Sequence, residues 1–162
     1  MSLKLASIIS AVMLIIDRIT KVLAQNTLAI SGDNPPIIKG IVSLYFTENT
    51  GAGFSMLSGR TGFLIAFTII VMALIVVMLV KGTFKHKLTD WGFCLVLSGG
   101  IGNLIDRVFN DGAVVDFIKT DFIDFPIFNV ADICVTIGAV LIILYFVVDL
   151  INDQKNSKRN IH

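Results

Sequence analysis

Residues 62–80 read GFLIAFTIIVMALIVVMLV, an unbroken apolar stretch without a single charged side chain. A helix that crosses the hydrocarbon core of a bilayer needs about 20 predominantly apolar residues. Long stretches of this kind indicate a transmembrane segment rather than a soluble domain. The segment therefore predicts a transmembrane helix, and it places the whole chain in a membrane.

The overall composition agrees with that placement. The chain has 162 residues, of which 55% are hydrophobic and only 15% are charged, and its mean hydropathy is +0.85. A formal net charge of +1 provides no general attraction to nucleic acid. Cys94 and Cys134 lie inside apolar runs without metal-site spacing, and we expect both in the core. The prediction is a single membrane domain over residues 1–162 that has no nucleic-acid partner.

Three further apolar segments give a total of four predicted spans. The spans cover residues 3–24, 62–80, 91–109 and 130–151. The first resembles a cleaved signal peptide in its short apolar core, but Asp17, Arg18 and Lys21 directly follow that core. A signal peptide has no charges between its core and its cleavage point, so we interpret the segment as an uncleaved helix.

Lysine and arginine residues in the connections predict the orientation of the spans, because these residues are enriched in cytoplasmic loops. With four spans, the basic residues of both termini and of the 81–90 loop fall on one side. They are Lys4, Lys81, Lys85, Lys87, Lys155, Lys158 and Arg159. Both termini are therefore expected in the cytoplasm, and residues 25–61 and 110–129 on the extracytoplasmic side.

The first outer segment carries strand signals. Its turn sequence SGDNPP is followed by IVSLYF and GAGFSML, in which glycine interrupts β-branched and aromatic residues. The predicted fold class is accordingly mainly α. We expect a polytopic membrane protein with four transmembrane helices and a small extracytoplasmic β-rich segment between helices 1 and 2.

Polar residues gather at the predicted outer boundary of the spans. A charged residue at the centre of a membrane helix costs about 2.5–3.5 kcal/mol, so this clustering needs a reason. The cluster consists of Asp17 and Lys21 in span one, Asn103, Asp106 and Arg107 at the end of span three, and Asn129 and Asp132 at the start of span four. Asp116 lies in the short outer segment between the last two spans.

Two of these groups have a structural interpretation. Asp17 and Lys21 have the i,i+4 spacing of a helical ion pair, and snorkelling alone could hold them at the interface. Gly99, Asn103 and Arg107 recur every fourth residue and share one helix face, on which the glycine permits close packing. Packing explains the glycine better than it explains the two polar residues.

Asp116 and Asp132 have both a structural and a catalytic interpretation. Asn129 is a favourable N-cap with Asp132 three residues later, as in a capping box, and Asp116 fits a short strand or turn. However, the two acids flank one re-entry into the membrane, and two carboxylates that share a proton can act as base and acid. The helix dipole favours charge on Asp132 and apolar neighbours favour a protonated Asp116, so we assign Asp132 as the base and Asp116 as the acid. Arg107 is expected to fix a carboxylate or a main-chain carbonyl nearby.

Five motifs carry a family resemblance. They are D-x-x-x-K at Asp17 and Lys21, NTGAGFS (49–55), GGIGNLIDRV (99–108), VVDF (114–117) and FNVADICVTIG (128–138). In this order, and over nearly the whole chain, they resemble the bacterial lipoprotein signal peptidases, also called signal peptidase II.

The resemblance implies a membrane aspartyl endopeptidase of the bacterial cytoplasmic membrane, with its active site towards the extracytoplasmic side. Such an enzyme removes the signal peptide of diacylglyceryl-modified prolipoproteins just before the lipidated cysteine, in contact with membrane lipid. It implies no metal or organic cofactor, and inhibition by globomycin-type compounds; we expect a monomer. Asp116 and Asp132 match the catalytic pair. The family's supporting positions match Asn49, Gly99, Asn103, Arg107 and Asn129, together with the first-span pair Asp17 and Lys21.

Three features depart from the family pattern. Glu48 replaces a basic residue, Gly53 replaces an alanine, and the interval from Arg107 to Asp116 is one residue longer. The acid pair is intact, so these departures concern contacts with lipid or inhibitor rather than the catalytic chemistry.

The alternative function is a small ion-coupled transporter or channel subunit, in which Asp17, Lys21, Arg107 and Asp132 form a charge relay. A relay requires polar residues across the bilayer, yet residues 62–80 carry no charge and residues 137–148 stay apolar. An adaptor protein gives no reason for the two acids, and a presenilin-type protease needs GxGD where this chain has GIGN. Peptidase activity is therefore the prediction.

Overall fold

The computed structural model describes residues 3–53, 56–84 and 86–159. In chain order the elements are α1 (Leu3–Ser31), β1 (Pro36–Ile38), β2 (Val42–Asn49), α2 (Thr61–Lys81), α3 (Lys87–Phe109), β3 (Val114–Thr120) and α4 (Val130–Arg159). Parts of two predicted features lie outside the described residues: Phe54 and Ser55 of the NTGAGFS motif, Lys85 of the basic loop, and the side chains of Lys155, Lys158 and Arg159 of the basic tail. The fold is mainly helical with one small sheet.

Helices occupy all four predicted spans, and three of them extend well beyond the predicted bounds. Helix α1 continues to Ser31, α3 already begins at Lys87, and α4 continues to Arg159. The start of α3 is capped by the side chain of His86, which accepts a hydrogen bond from the backbone N–H of Leu88. An apolar window measures only the part of a helix that fits the bilayer, so it misses polar helix ends.

Among the described helices, three are long and apolar enough to cross a membrane: α2, α3 and the Val130–Gln154 part of α4. Helix α1 is long enough, but Asp17, Arg18 and Lys21 interrupt its apolar sequence. In α2, large apolar side chains such as Phe63, Phe67 and Val80 are exposed, as expected of a helix that faces lipid.

Helices α3 and α4 pack backbone against backbone at glycine positions. A Cβ atom on Gly92 would lie 2.8 Å from the carbonyl oxygen of Gly138, and a Cβ atom on Gly99 would overlap the carbonyl oxygen of Ala131. Small residues allow such an approach between membrane helices. The contact brings the first turn of α4 against the second half of α3, and Gly99 has the packing role that its position predicts.

The three strands form one antiparallel sheet in the order β1-β2-β3. The predicted β-rich segment supplies β1 and β2, but β3 comes from the second outer segment. The sequence pattern predicts a β-rich segment only between the first two helices. The sheet extends beyond that region, because it includes β3. Thr47 of β2 pairs with Asp116 of β3, a contact between distant segments that no local pattern encodes.

Successive side chains of β3 point to opposite faces of the sheet. Val115 and Phe117 pack against Ala24 and Leu28 of α1 in the core beneath the sheet. Asp116 lies between them in the strand and faces the other way, which turns its carboxyl group away from this core.

Candidate active site

Asp116 and Asp132 line the same cavity, which has a volume of about 520 Å³. Asp116 is part of β3 and only 2% exposed, whereas Asp132 lies in the first turn of α4 and is half-buried. Apolar side chains such as Phe125, Ile127 and Ile133 form much of the cavity wall. Strand and helix thus direct one acid each into a shared, partly apolar space.

Asn129 connects the two acids. Its Oδ1 accepts a hydrogen bond from the backbone N–H of Asp132 at 2.9 Å, and Oδ2 of Asp132 accepts one from the backbone N–H of Asn129 at 3.1 Å. These reciprocal bonds form the predicted capping box. At the same time Nδ2 of Asn129 donates to Oδ1 of Asp116 at 2.6 Å. The cap that begins α4 is therefore also a partner of the second acid.

Two further neutral amides contact the acids. Nδ2 of Asn49 donates to Oδ2 of Asp116 at 3.1 Å, and Nδ2 of Asn103 donates to Oδ1 of Asp132 at 2.8 Å. Each carboxyl group consequently has two hydrogen-bond donors within the protein, and none of these four donors carries a charge. Neutral donors orient an acid without forcing it to remain ionised, as a neighbouring cation would.

The surroundings of Asp116 favour its protonated form. Burial raises the pKa of the Asp116 carboxyl group to about 7, the negative charge of Asp132 adds to this effect, and the hydrogen bonds from Asn49 and Asn129 oppose it. A carboxylic acid with such a pKa can hold a proton near neutral pH and release it during a reaction.

Arg107 fixes a main-chain carbonyl beside the cavity, one of the two roles that its position predicts. Its Nη2 donates to the carbonyl oxygen of Gly51 at 2.8 Å, and the backbone N–H of Gly51 in turn donates to Oδ1 of Asn49 at 2.9 Å. Arg107 also lines the cavity. Through Gly51 and Asn49, its contacts continue to Asp116.

Asp17 and Lys21 form the predicted ion pair, with 3.0 Å between Lys21 Nζ and Asp17 Oδ2. The expectation that snorkelling could hold them at the interface is wrong, because both side chains are buried and Lys21 has no exposed surface. Lys21 Nζ also lies 2.8 Å from Oδ2 of Asp106, and Arg18 pairs with Oδ1 of the same carboxylate. Two cations and two carboxylates thus neutralise one another inside the helix bundle.

Asp106 and Arg18 were absent from the predicted site residues. A signal for Asp106 does exist: it follows Gly99 by seven residues and Gly102 by four, so it shares their helix face. Gly102 itself packs against the ion pair, since a Cβ atom there would lie 2.6 Å from Oδ2 of Asp17. Small residues on a helix face mark where a neighbouring helix, with its polar side chains, approaches most closely.

Cys94 and Cys134 are buried, as their apolar context predicts, and neither forms a disulfide. Within the described ranges, no group of three or more histidine, cysteine, aspartate or glutamate side chains could hold a metal ion.

The sequence was compared with protein-family models and with known proteins. The protein-family model described as signal peptidase (SPase) II matches residues 9–148. The chain is 40% identical over 154 residues to a lipoprotein signal peptidase of Clostridium acetobutylicum, an alignment that covers 93% of this chain and 97% of the relative. It is 39% identical over 142 residues to a lipoprotein signal peptidase of Enterococcus faecalis, covering 88% and 87% of the two chains.

Two solved structures share the fold. One is described as a bacterial membrane enzyme structure obtained by the in meso method at 2.3 Å resolution, and it aligns with a TM-score of 0.84 at 34% identity over 92% of this chain and 91% of the other. The second, described in the same way at 1.9 Å resolution, aligns with a TM-score of 0.79 at 35% identity over 88% and 92% of the two chains.

Proposed function

Since the chain belongs to the signal peptidase II family and cleaves the signal peptides of lipoproteins, we propose that it does so as an aspartic endopeptidase. Asp116 and Asp132 are its catalytic residues. The observation that carries this proposal is the position of both acids in one cavity, with Asn129 hydrogen-bonded to each. No cofactor takes part in the reaction.

Asp132 and Asp116 have different catalytic roles because their surroundings differ. Asp132 lies in the first turn of α4, where the helix dipole stabilises a carboxylate, and it acts as the base that removes a proton from water. The resulting hydroxide forms the bond to the scissile carbonyl carbon while Asp116 donates its proton to the carbonyl oxygen. The tetrahedral intermediate then collapses: one of its hydroxyl groups returns a proton to Asp116 as the carbonyl re-forms, the C–N bond breaks, and Asp132 gives the proton taken from water to the leaving amine.

The charges around the site favour one shared proton on the Asp116 and Asp132 carboxyl groups. Among the described residues of this region three cations face four carboxyl groups, so a proton on one carboxyl group lowers the excess of buried negative charge. The cations are Arg18, Lys21 and Arg107, and the carboxyl groups are Asp17, Asp106, Asp116 and Asp132. Asp116 is the least exposed acid of the cavity and the natural place for that proton.

Helix α1 is the fourth membrane span in this proposal. The three charged residues in the middle of the helix, Asp17, Arg18 and Lys21, form ion pairs within the protein. Its outward side chains, such as Ile8, Ile15 and Ile19, are apolar and exposed. The enzyme lies in the bacterial cytoplasmic membrane as a monomer with both termini in the cytoplasm. Its active site then faces the extracytoplasmic end of the helices, beside the sheet.

The substrate is a prolipoprotein with a diacylglyceryl-modified cysteine, cleaved just before that cysteine. The apolar cavity walls suit the small and apolar side chains of a signal peptide next to the two acids. The lipid group of the cysteine remains in the surrounding membrane.

Four polar side chains orient the acids and do not react themselves: Asn49, Asn103, Arg107 and Asn129. Globomycin-type inhibitors occupy the same cavity as the substrate.

Cleavage by purified protein in detergent tests the proposal. A diacylglyceryl-modified prolipoprotein is incubated with the parent protein and with the Asp116→Asn and Asp132→Asn variants, and the product is followed by gel shift. The exposed acid Asp124 provides a matched control, Asp124→Asn, in the segment between the two acids. We expect cleavage by the parent and the control and none by either site variant; cleavage by both folded site variants would exclude the acid pair.

The comparisons give no support to the alternative of an ion-coupled transporter. The described side chains of α2 are almost entirely apolar, so this helix contributes nothing to a charge relay.

A further inference from the structure

Lys21 has an unusual environment for a lysine. Its side chain is completely buried, and its ammonium nitrogen has three acceptors: Oδ2 of Asp17 at 3.0 Å, Oδ2 of Asp106 at 2.8 Å and Oδ1 of Asn103 at 2.9 Å. Oδ1 of Asn103 accepts a hydrogen bond from this group, and the two carboxylate oxygens form ion pairs with it. Burial of a charge is costly, and this complete set of partners offsets the cost.

The first of these contacts leads to the start of α4. Oδ1 of Asp17 accepts a hydrogen bond from the backbone N–H of Ala131 at 2.8 Å. This N–H belongs to the first turn of the helix and has no partner within it. Ala131 directly precedes Asp132, so a residue of α1 fixes the backbone beside one of the two acids.

The second contact leads to β3 in the same manner. Oδ2 of Asp106 accepts a hydrogen bond from the backbone N–H of Val115 at 3.3 Å. The turn after α3 makes this possible: the backbone N–H of Ala113 donates to the carbonyl oxygen of Asn110 at 2.8 Å, and β3 returns over the end of the helix. Val115 directly precedes Asp116, so the backbone beside the other acid is fixed as well.

The third contact reaches an acid through a single side chain. Asn103 accepts from Lys21 with Oδ1, which orients its Nδ2 towards Oδ1 of Asp132 at 2.8 Å. The same Oδ1 also accepts a hydrogen bond from Nδ2 of Asn129 at 3.2 Å.

We propose that Lys21 is a positioning residue that sets the separation of the Asp116 and Asp132 carboxyl groups. The role rests on the proposed function of these acids. Lys21 holds Asp17 and Asp106 together, and these two carboxylates hold the residues that precede the two acids. An ion pair that served only to insert α1 into the membrane would need one carboxylate, whereas here both carboxylates bind a backbone N–H next to an acid. Strand β3 and helix α4 are distant from α1 in the sequence, yet the backbone of each is connected to this one ammonium group through a carboxylate.

The test compares Lys21→Met with Lys4→Met, a control at an exposed lysine of the same helix. The kcat and KM for a diacylglyceryl-modified prolipoprotein are measured per folded enzyme, with the folded fraction taken from thermal unfolding in detergent. Misplacement of reacting groups by 1 Å can cost about 100-fold in rate, so we expect kcat of Lys21→Met to fall by about 100-fold with KM unchanged. Lys4→Met should behave as the parent protein.

A double-variant cycle tests whether Lys21 acts on the two acids through Asp106. If Lys21 acts through Asp106, the double variant Lys21→Met/Asp106→Asn is no slower than Lys21→Met alone, because both changes break the same connection. Should Lys21→Met not fold, Asp106→Asn is measured alone. It keeps an oxygen for Val115 but loses the ion pair, and we expect a lower kcat with unchanged KM.

Three results would overturn the inference: a folded Lys21→Met with parental kcat, a fully additive double variant, or a parental kcat in Asp106→Asn. Failure of the inference differs from failure of the proposed function. If Asp116→Asn and Asp132→Asn abolish cleavage while Lys21→Met cuts normally, only the positioning role is lost. If the two acid variants still cut, the acid pair itself is wrong.

Discussion

Asn129 donates from Nδ2 to Oδ1 of Asp116 at 2.6 Å. The same side chain caps α4 through its Oδ1, which accepts from the backbone N–H of Asp132. The cap interpretation and the catalytic interpretation of the FNVAD stretch are therefore compatible, because one asparagine begins the helix and contacts both acids. Separate substitutions can divide the two roles.

Asn129→Ser should separate the cap from the contact with Asp116. Serine caps helices about as well as asparagine, whereas an alanine at the cap costs about 1 kcal/mol. The serine hydroxyl is too short to replace Nδ2 at Asp116. We expect Asn129→Ser to melt closer to the parent protein than Asn129→Ala does, and both variants to lose most of their cleavage rate. Parental activity in Asn129→Ser would show that the contact with Asp116 is dispensable.

The pH dependence of cleavage should report the proton on Asp116. Burial and the nearby charge of Asp132 raise the pKa of Asp116 to about 7. The proposed mechanism needs this carboxyl group protonated, so kcat/KM should fall as the pH rises through about 7. The measurement is a kcat/KM profile from slightly acidic to alkaline pH, with thermal unfolding at each pH as the control for folding. A rate that stays constant well above neutral pH in folded enzyme would contradict this assignment.

The neighbouring glycines of α3 offer a matched pair of substitutions. In Gly99→Ala the new methyl group overlaps the carbonyl oxygen of Ala131 and lies 2.7 Å from Cγ2 of Val135. Overpacking of this kind typically costs about 1–3 kcal/mol, and it displaces the turn that carries Asp132. We expect a lower melting temperature and a lower cleavage rate.

Gly100→Ala is the control for that substitution. Its new Cβ atom would first meet the flexible side chain of Met72, with Sδ at 3.3 Å. Alanine is also the better helix former. Melting temperature and activity should therefore equal or exceed those of the parent. Equal sensitivity at both glycines would mean that the α3–α4 contact has no special role.

Arg107→Lys tests whether the planar guanidinium is needed. Lysine keeps the charge but loses the planar guanidinium group, whose Nη2 donates to the carbonyl oxygen of Gly51. A hydrogen bond from a charged group contributes about 1.5 kcal/mol or more, so we expect kcat/KM to fall about tenfold or more. Arg60→Lys, at an exposed arginine, is the matched control. Near-parental turnover in Arg107→Lys would remove the assigned role.

Local sequence patterns predicted much of the site. The spacing of Asn129 and Asp132 predicted the capping box, and the i,i+4 spacing of Asp17 and Lys21 predicted their ion pair, because both contacts lie within one helical turn. The role of Arg107 towards a main-chain carbonyl was also predicted, although not the identity of Gly51. Asp106 was predicted as part of the polar cluster but not as a site residue, and Arg18 was not predicted in either role, because the contact between them depends on the packing of α1 against α3, which helical periodicity alone cannot specify.

Apolar length, helical spacing and family motifs were enough to predict the membrane environment, the positions of the four helices and the two acids as the catalytic hypothesis. The pairing of β3 with β2, and the contacts that connect Lys21 to the backbone beside both acids, became visible only once the chain was folded. The difference lies in the range of the interactions. Contacts within a turn are encoded by neighbouring residues, whereas the meeting of Asp17 with Ala131 and of Asp106 with Val115 requires three helices and a strand to be packed at once.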